Sequence, residues 1–260
     1  MANVRIYLDA GHGGKDSGAS YKGRNESDDV LKLVLAIGKE ISARYSNVTI
    51  GYARKTDVYD TPSTKAKKGN SFNADYFFSF HRNCFNGSAR GFETEYKSHS
   101  TVKDAIMNQI AAKMSDFGFT RRGDKQRSNL AVLNQTVMPA LLFEVGFIDN
   151  PQDNKIFDNH FTEIVNAFVE VIGKNCGLTK KKQLIKVSYK IGNYNKYVKT
   201  TKNISVHTGR GATYKKIGTL KSGTKVKALY ILKSAAGNPW ASIDYGKDIG
   251  YICLNNTTPV

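Results

Sequence analysis

Val4-Arg5-Ile6-Tyr7-Leu8-Asp9-Ala10-Gly11-His12-Gly13-Gly14 is the stretch that decides the fold. Apolar residues at 4, 6 and 8 alternate along the chain, the period of a strand with one face in a core. Three of the four residues from 11 to 14 are glycine, so the backbone can turn sharply and approach a neighbour closely. His12 is held inside that turn. A histidine at the carboxyl end of a strand, in a glycine-rich loop, stands where open α/β sheets place their ligands. Taken singly it reads equally well as a surface or hydrogen-bonded core histidine.

Working outward, a polar loop over 15–24 leads to Asn25-Glu26-Ser27-Asp28-Asp29. Asn25 or Ser27 is placed to cap a helix there, and the acids suit its positive N-terminus. Val30, Leu31, Val34, Leu35, Ile37 and Ile41 carry the helical period to about Tyr45. Strands are expected over 48–53, 76–80, 92–96, 130–133 and 140–143. Helices are expected over 62–72, 102–117 and 162–174, the last stopped by Gly177. The segment 120–128 reads as a basic loop. Strands alternating with helices give an α/β domain with a mixed, mostly parallel sheet flanked by helices.

The strand at 76–80 ends on His81-Arg82-Asn83, and the one at 140–143 ends on Glu144-Val145-Gly146-Phe147. Parallel strands share one carboxyl edge, so His12, His81 and Glu144 converge, and Glu26 can join them at the start of the first helix. Two imidazoles and a carboxylate form an open zinc set, and a further carboxylate beside it can move protons in metal-assisted hydrolysis. Each acid alone also reads as a solvated surface group, Glu26 as a helix-terminal charge. Glu144 resists that reading, because it follows four apolar residues and precedes Val-Gly-Phe.

Four ordered motifs carry a resemblance: Leu8 to Gly14, Asn25-Glu26, Ser79-Phe80-His81-Arg82-Asn83, and Leu142 to Asn150. Together they resemble the zinc-dependent N-acetylmuramoyl-L-alanine amidases of the type-3 family, bacterial wall hydrolases and phage endolysins, over roughly residues 3–176. The resemblance implies Zn2+ ligation by His12, Glu26 and His81, with Glu144 as the catalytic carboxylate. It implies attack of a metal-activated water on the muramic acid lactyl carbonyl and proton delivery by Glu144 to the departing L-alanine amine. Asp28 and Asp29 crowd the turn that carries Glu26. Arg82 stands where the family has a small residue, and it reads either as a contact to the peptide stem or as a solvent-facing side chain. Arg54 with Asp57 reads as structural.

Charge separates the chain into two parts. Of its 39 Lys and Arg and 22 Asp and Glu, 16 basic and only 2 acidic residues fall in 179–260, leaving 23 and 20 before them. A nearly neutral body thus carries a strongly basic tail, which suits a polyanion. Residues 178–195 read as a basic linker and 196–260 as short strands between glycines. Asn203 to Gly209, Ile217 to Val226, Trp240 and Gly250-Tyr251-Ile252 are similar to bacterial Src-homology-3-like barrels. That resemblance implies a cell-wall-binding domain after a catalytic domain at 1–177. Trp240 and the tyrosines form either a stacking groove or part of the core.

Cys84, Cys176 and Cys253 are odd in number and far apart, which suggests neither a disulfide framework nor a cysteine zinc site. Cys84, three residues after His81, reads as a nucleophile or, more simply, as a small half-buried residue. No run approaches 18 apolar residues, so no membrane insertion is expected. The start lacks a basic and apolar leader pattern. The expectation is synthesis in the cytoplasm and action on the wall after holin-type release or lysis. The expected partners are peptidoglycan and anionic wall polymers of a Gram-positive host, not nucleic acid. A zinc peptidase cutting another wall amide and a basic nucleic-acid-binding protein are the alternatives.

Overall fold

The computed structural model describes residues 2–181 and 189–260. The chain divides into two compact units, Met1–Lys181 and Lys182–Val260.

The first unit runs β1 (Val4–Ala10), β2 (Ser20–Tyr21), β3 (Arg24–Asn25), α1 (Glu26–Arg44), β4 (Val48–Tyr52), α2 (Pro62–Ser71), β5 (Tyr76–Asn83) and β6 (Phe92–Tyr96). It continues with α3 (Thr101–Asp116), β7 (Arg121–Gln126), α4 (Ala131–Asn134), β8 (Ala140–Phe147), α5 (Pro151–Asn159) and α6 (Phe161–Asn175). Six strands form one sheet in the order β4-β1-β5-β8-β6-β7. The pairings β4/β1, β1/β5 and β5/β8 are parallel, β8/β6 is antiparallel and β6/β7 is parallel. This is the mixed, mostly parallel α/β sheet expected. Helices α1, α3 and α6 press Val30, Leu33, Ile37, Ile106, Ile110, Phe168 and Ile172 onto Ile6, Leu8, Phe78, Phe80 and Phe143 of the sheet. A second cluster on Tyr7, Phe77 and Leu142 holds Val132 and Leu133.

Two expectations are corrected. Arg121–Gln126 is an edge strand rather than a loop. Its residues have no apolar alternation, because β7 is secured through its backbone ladder and through Arg122 and Lys125 reaching Glu93 of β6 at 2.8 and 2.7 Å. Conversely, Leu130-Ala131-Val132-Leu133 is no strand. It is one helical turn and its lead-in, which tucks Val132 and Leu133 under the sheet. Helix α5 escaped the periodicity reading because it is short and polar. Its start is well marked: Asn150 Oδ1 accepts from the amides of Gln152 (2.9 Å) and Asp153 (3.2 Å), and Pro151 follows.

The second unit contains β9 (Gly192–Thr200), β10 (Ile204–His207), β11 (Lys216–Leu220), β12 (Lys225–Lys233), β13 (Pro239–Tyr245), β14 (Asp248–Cys253) and β15 (Thr257–Pro259). All its pairings are antiparallel, in the order β11-β10-β14-β13-β12-β9-β15. Val198, Val206, Ala228, Ile231, Ala241, Ile243 and Ile252 make its core. Of the stretch read as a linker, 178–181 fall in the first unit and 192–195 in β9; the expected hinge residues 182–188 lie outside the described residues. Among the described residues no helix is long and apolar enough to cross a membrane.

Candidate metal and catalytic site

The parallel set β1, β5 and β8 brings its carboxyl ends to one edge, and the register sets His81 directly beside Glu144. Glu26 is the first residue of α1. Its approach to the strands is fixed by the loop 15–24, which folds back over the helix start: the amides of Glu26 and Ser27 donate to the carbonyls of Ala19 (2.9 Å) and Ser17 (3.0 Å). These loop carbonyls, not a side chain, satisfy the helix N-terminus. Asn25 occupies the N-cap position, but its Oδ1 accepts from Ser20 Oγ at 2.8 Å instead.

His12, Glu26 and His81 meet, each offering one ligand atom within 4.8 Å of the others. Glu26 Oε1 lies 3.1 Å from His12 Nε2 and 2.8 Å from His81 Nδ1. Glu26 is also held from behind by two amides, Arg82 N on Oε1 and Ala19 N on Oε2, both at 3.0 Å. Asp16 Oδ2 contacts His12 Nδ1 at 2.9 Å, which commits that nitrogen and leaves Nε2 for the centre. Burial alone would raise the Glu26 pKa; the bonds to His12 and His81 outweigh it and hold the carboxyl well below its ordinary range. Burial would likewise lower His12, but Glu26 and Asp16 raise it. The three side chains are a preassembled, charge-complementary set of donors.

The space around them is kept by glycine. A Cβ at Gly11 would stand 2.3 Å from the His81 ring, and one at Gly18 would stand 2.6 Å from both Glu26 Oε2 and His12 Cδ2. Gly18 also has φ +64°, which favours glycine. Gly18→Ala is therefore expected to leave the fold intact and to weaken metal binding roughly 10–100-fold, the range for displaced supports of a metal site. Zinc content after dialysis against a buffered metal series checks this.

The turn itself rests on Arg54 and Asp57, the pair read as structural, and on Lys65 and Ser79, which the sequence did not announce. His12 sits at φ 55°, unusual for a side chain with a Cβ. Buried Lys65 of α2 donates to the carbonyls of Ala10 (2.7 Å) and His12 (3.3 Å) and pairs with buried Asp9 at 3.1 Å. Ser79 Oγ donates to the other Asp9 oxygen at 2.7 Å. Arg54 donates to the carbonyls of Gly11 (2.8 Å) and Ser27 (2.7 Å), and Asp57 accepts from Gly14 N at 2.7 Å. Nothing in the lysine-rich run 65–68 distinguishes Lys65 from its exposed neighbours. Only the offset of α2 against β1 does.

Glu144 is half-buried, and its Oε2 is shut off from solvent with no hydrogen-bond partner. Burial, then the charges of Glu26, Glu95 and Glu93, push its carboxyl well above the usual range, against a smaller pull from Lys125. This carboxyl is poised to carry a proton. Cys84 is exposed, and its thiol is pushed up by partial burial and by Asp149, which disfavours the nucleophilic thiolate.

Both expectations for Arg82 are corrected: it neither faces solvent nor reaches outward to substrate. The residue is 1% exposed, with its guanidinium on Asp29 (2.6 Å), Val145 O (3.0 Å) and Asn154 Oδ1 (2.8 Å), and 4.4 Å from the Phe157 ring centroid. It ties α1, β8 and α5 together behind the site.

A family model described as N-acetylmuramoyl-L-alanine amidase matches residues 6–174. The endolysin of Bacillus phage SPP1 is 36% identical over 186 residues, covering 68% of this chain and 67% of that protein. The N-acetylmuramoyl-L-alanine amidase CwlM of Bacillus licheniformis is 37% identical over 154 residues, 58% of this chain and 59% of its own. Among solved structures, the catalytic domain of CwlV, an amidase from Bacillus (Paenibacillus) polymyxa var. colistinus, superposes with a TM-score of 0.62 at 25% identity. It covers 68% of this chain and 99% of that one.

Proposed function

The chain belongs to the N-acetylmuramoyl-L-alanine amidase family of peptidoglycan hydrolases, and from that premise we propose that its first unit cuts the amide between the muramic acid lactyl group and L-alanine. The observation that carries the reading is the meeting of His12, Glu26 and His81 at the strand edge where the register sets Glu144 directly beside His81. Two imidazole nitrogens and one carboxylate oxygen, gathered around a point that glycines keep clear, fit Zn2+ with a position left open. When bound there, Zn2+ supplies Lewis acidity to a carbonyl oxygen and lowers the pKa of water.

The chain's own residues do the rest. Asp16 orients the His12 ring, and the amides of Ala19 and Arg82 orient Glu26. Glu144 takes a proton from the attacking water and delivers it to the departing amine; its raised pKa suits both halves of that transfer. The second unit, with its excess of lysine, is proposed as the wall-binding module, a Src-homology-3-like barrel. The phage relative and the basic tail together support an endolysin-like role on Gram-positive walls.

Product analysis on purified Gram-positive peptidoglycan tests this. New N-terminal L-alanine without new reducing sugar ends is expected, abolished by chelator and restored by zinc. New amino termini on any other residue would instead make the protein a peptidase.

A further inference from the structure

The second unit holds a cleft of about 1030 Å³ between the start of β10, the 208–215 loop and the β12–β13 hairpin. One wall is aromatic. Trp240 is packed into the floor with His207 edge-on at 5.6 Å, and Tyr214, 50% exposed, stands at the rim. The loop that presents Tyr214 is built to do so. His207 Nδ1 donates to the Tyr214 carbonyl at 2.7 Å, and the Tyr214 ring lies so close to Gly209 that a Cβ there would be 2.4 Å from it. The lining is also cationic: Lys202, Arg210 and Lys233 line the cleft, and no Asp or Glu does. Among the described residues none of these three cations has a carboxylate within ion-pair distance.

We infer that this cleft is the wall-ligand site, taking a phosphodiester-linked anionic glycopolymer with a sugar on the Tyr214–Trp240 wall and phosphate against Arg210, Lys202 and Lys233. The inference rests on the reading of the second unit as the wall-binding module and names the place and chemistry of that binding. An aromatic wall offers an apolar face with a polar tip, which suits the two-sided surface of a sugar ring. Unpaired arginine and lysine supply charge-assisted bonds to phosphate. The charge of the whole unit decides between anions. Residues 182–260 carry 14 Lys and Arg against Asp244 and Asp248, so the unit that holds the cleft has a large cation excess. A polymer with one permanent charge per repeat matches that excess; peptidoglycan, whose stem carboxylates stand beside amines, matches it less well.

The test uses the full chain in a wall-pelleting assay on ice, with native Gram-positive walls and with walls stripped of phosphodiester polymers by hydrofluoric acid. The paired substitution Lys202→Ser with Arg210→Ser is compared with Lys225→Ser with Lys227→Ser, an equal charge change on β12 outside the cleft. Tyr214→Leu serves as an uncharged third variant. The cleft pair is expected to weaken binding to native walls roughly ten-fold and Tyr214→Leu several-fold, while the outside pair changes it less than about two-fold. Stripped walls should bind wild type no better than native walls bind the cleft pair. Cleavage of a soluble muramoyl peptide should be the same in all variants. Equal loss in both charge pairs would overturn the cleft as the site. Undiminished binding to stripped walls would overturn the phosphodiester ligand in favour of peptidoglycan. If wild type binds neither wall, the wall-binding reading of the unit itself falls.

Discussion

Glu144→Gln is expected to lower peptidoglycan hydrolysis by about 10²–10⁴-fold, the range for removal of a positioned proton carrier, while making the metal-free protein more resistant to heat. The two effects have one cause. Glu144 Oε2 is sealed from water without a partner, and burial together with Glu26, Glu95 and Glu93 raises its pKa in the folded state. Below the unfolded value of about 4.3 the carboxyl is protonated in both states and costs little. As pH rises past that value, the unfolded chain releases the proton more readily than the folded one, so folding loses stability until the folded pKa is passed. Glutamine cannot ionise and escapes this penalty.

The measurement is a pair of thermal melts in chelator, at pH 4 and pH 8, for wild type and variant. The melts should nearly coincide at pH 4. At pH 8 the variant should lead by roughly 1–3 kcal/mol, the cost of a buried unsatisfied polar group, or several degrees for a domain of this size. All other titrating groups are shared, so the pH-dependent difference belongs to residue 144. Coincident melts at both values would mean that the carboxyl is not strained by burial, whatever its effect on hydrolysis.

What could be read from the sequence follows how each contact is made. β1, β5 and β8 were legible because their apolar residues face a core and each ends on a chemically distinctive residue: His12 just past β1, His81 within β5, Glu144 within β8. Their meeting at one edge followed from parallel pairing, and the gathering of His12, Glu26 and His81 needed only the helix start to lie on that edge. What stayed hidden is held by long-range polar contacts. β7 has charges where a strand should show apolar alternation, because Glu93 of β6 neutralises Arg122 and Lys125. α4 spans one turn, too short for period to separate helix from strand. Lys65 looks like any surface lysine until Asp9 and the Ala10 carbonyl are placed beneath it.

Arg82 is the sharpest instance of that blindness, and its replacement is the other large expected effect. Arg82→Met should cost about 3–5 kcal/mol, the range for breaking a buried ion pair from one side. The loss has several sources. Asp29 keeps Arg24 at 2.7 Å, but the Val145 carbonyl and Asn154 Oδ1 lose their guanidinium donor, and the Phe157 ring loses the nearer of its two cations, keeping Arg24 at 5.4 Å. Arg82→Lys retains the charge but cannot fork to three acceptors at once, so it should recover only part of the stability. The main-chain amide of residue 82 also holds Glu26 Oε1. Loosening this strand end should therefore reduce zinc affinity as well as the melting temperature. A side chain that gripped the peptide stem would behave differently, raising KM with the melting temperature and zinc affinity unchanged. Melting, zinc titration and kinetics on the two variants separate these outcomes. The buried geometry requires the first, because a guanidinium shut off from solvent and turned onto Asp29, Val145 and Asn154 is out of reach of a substrate.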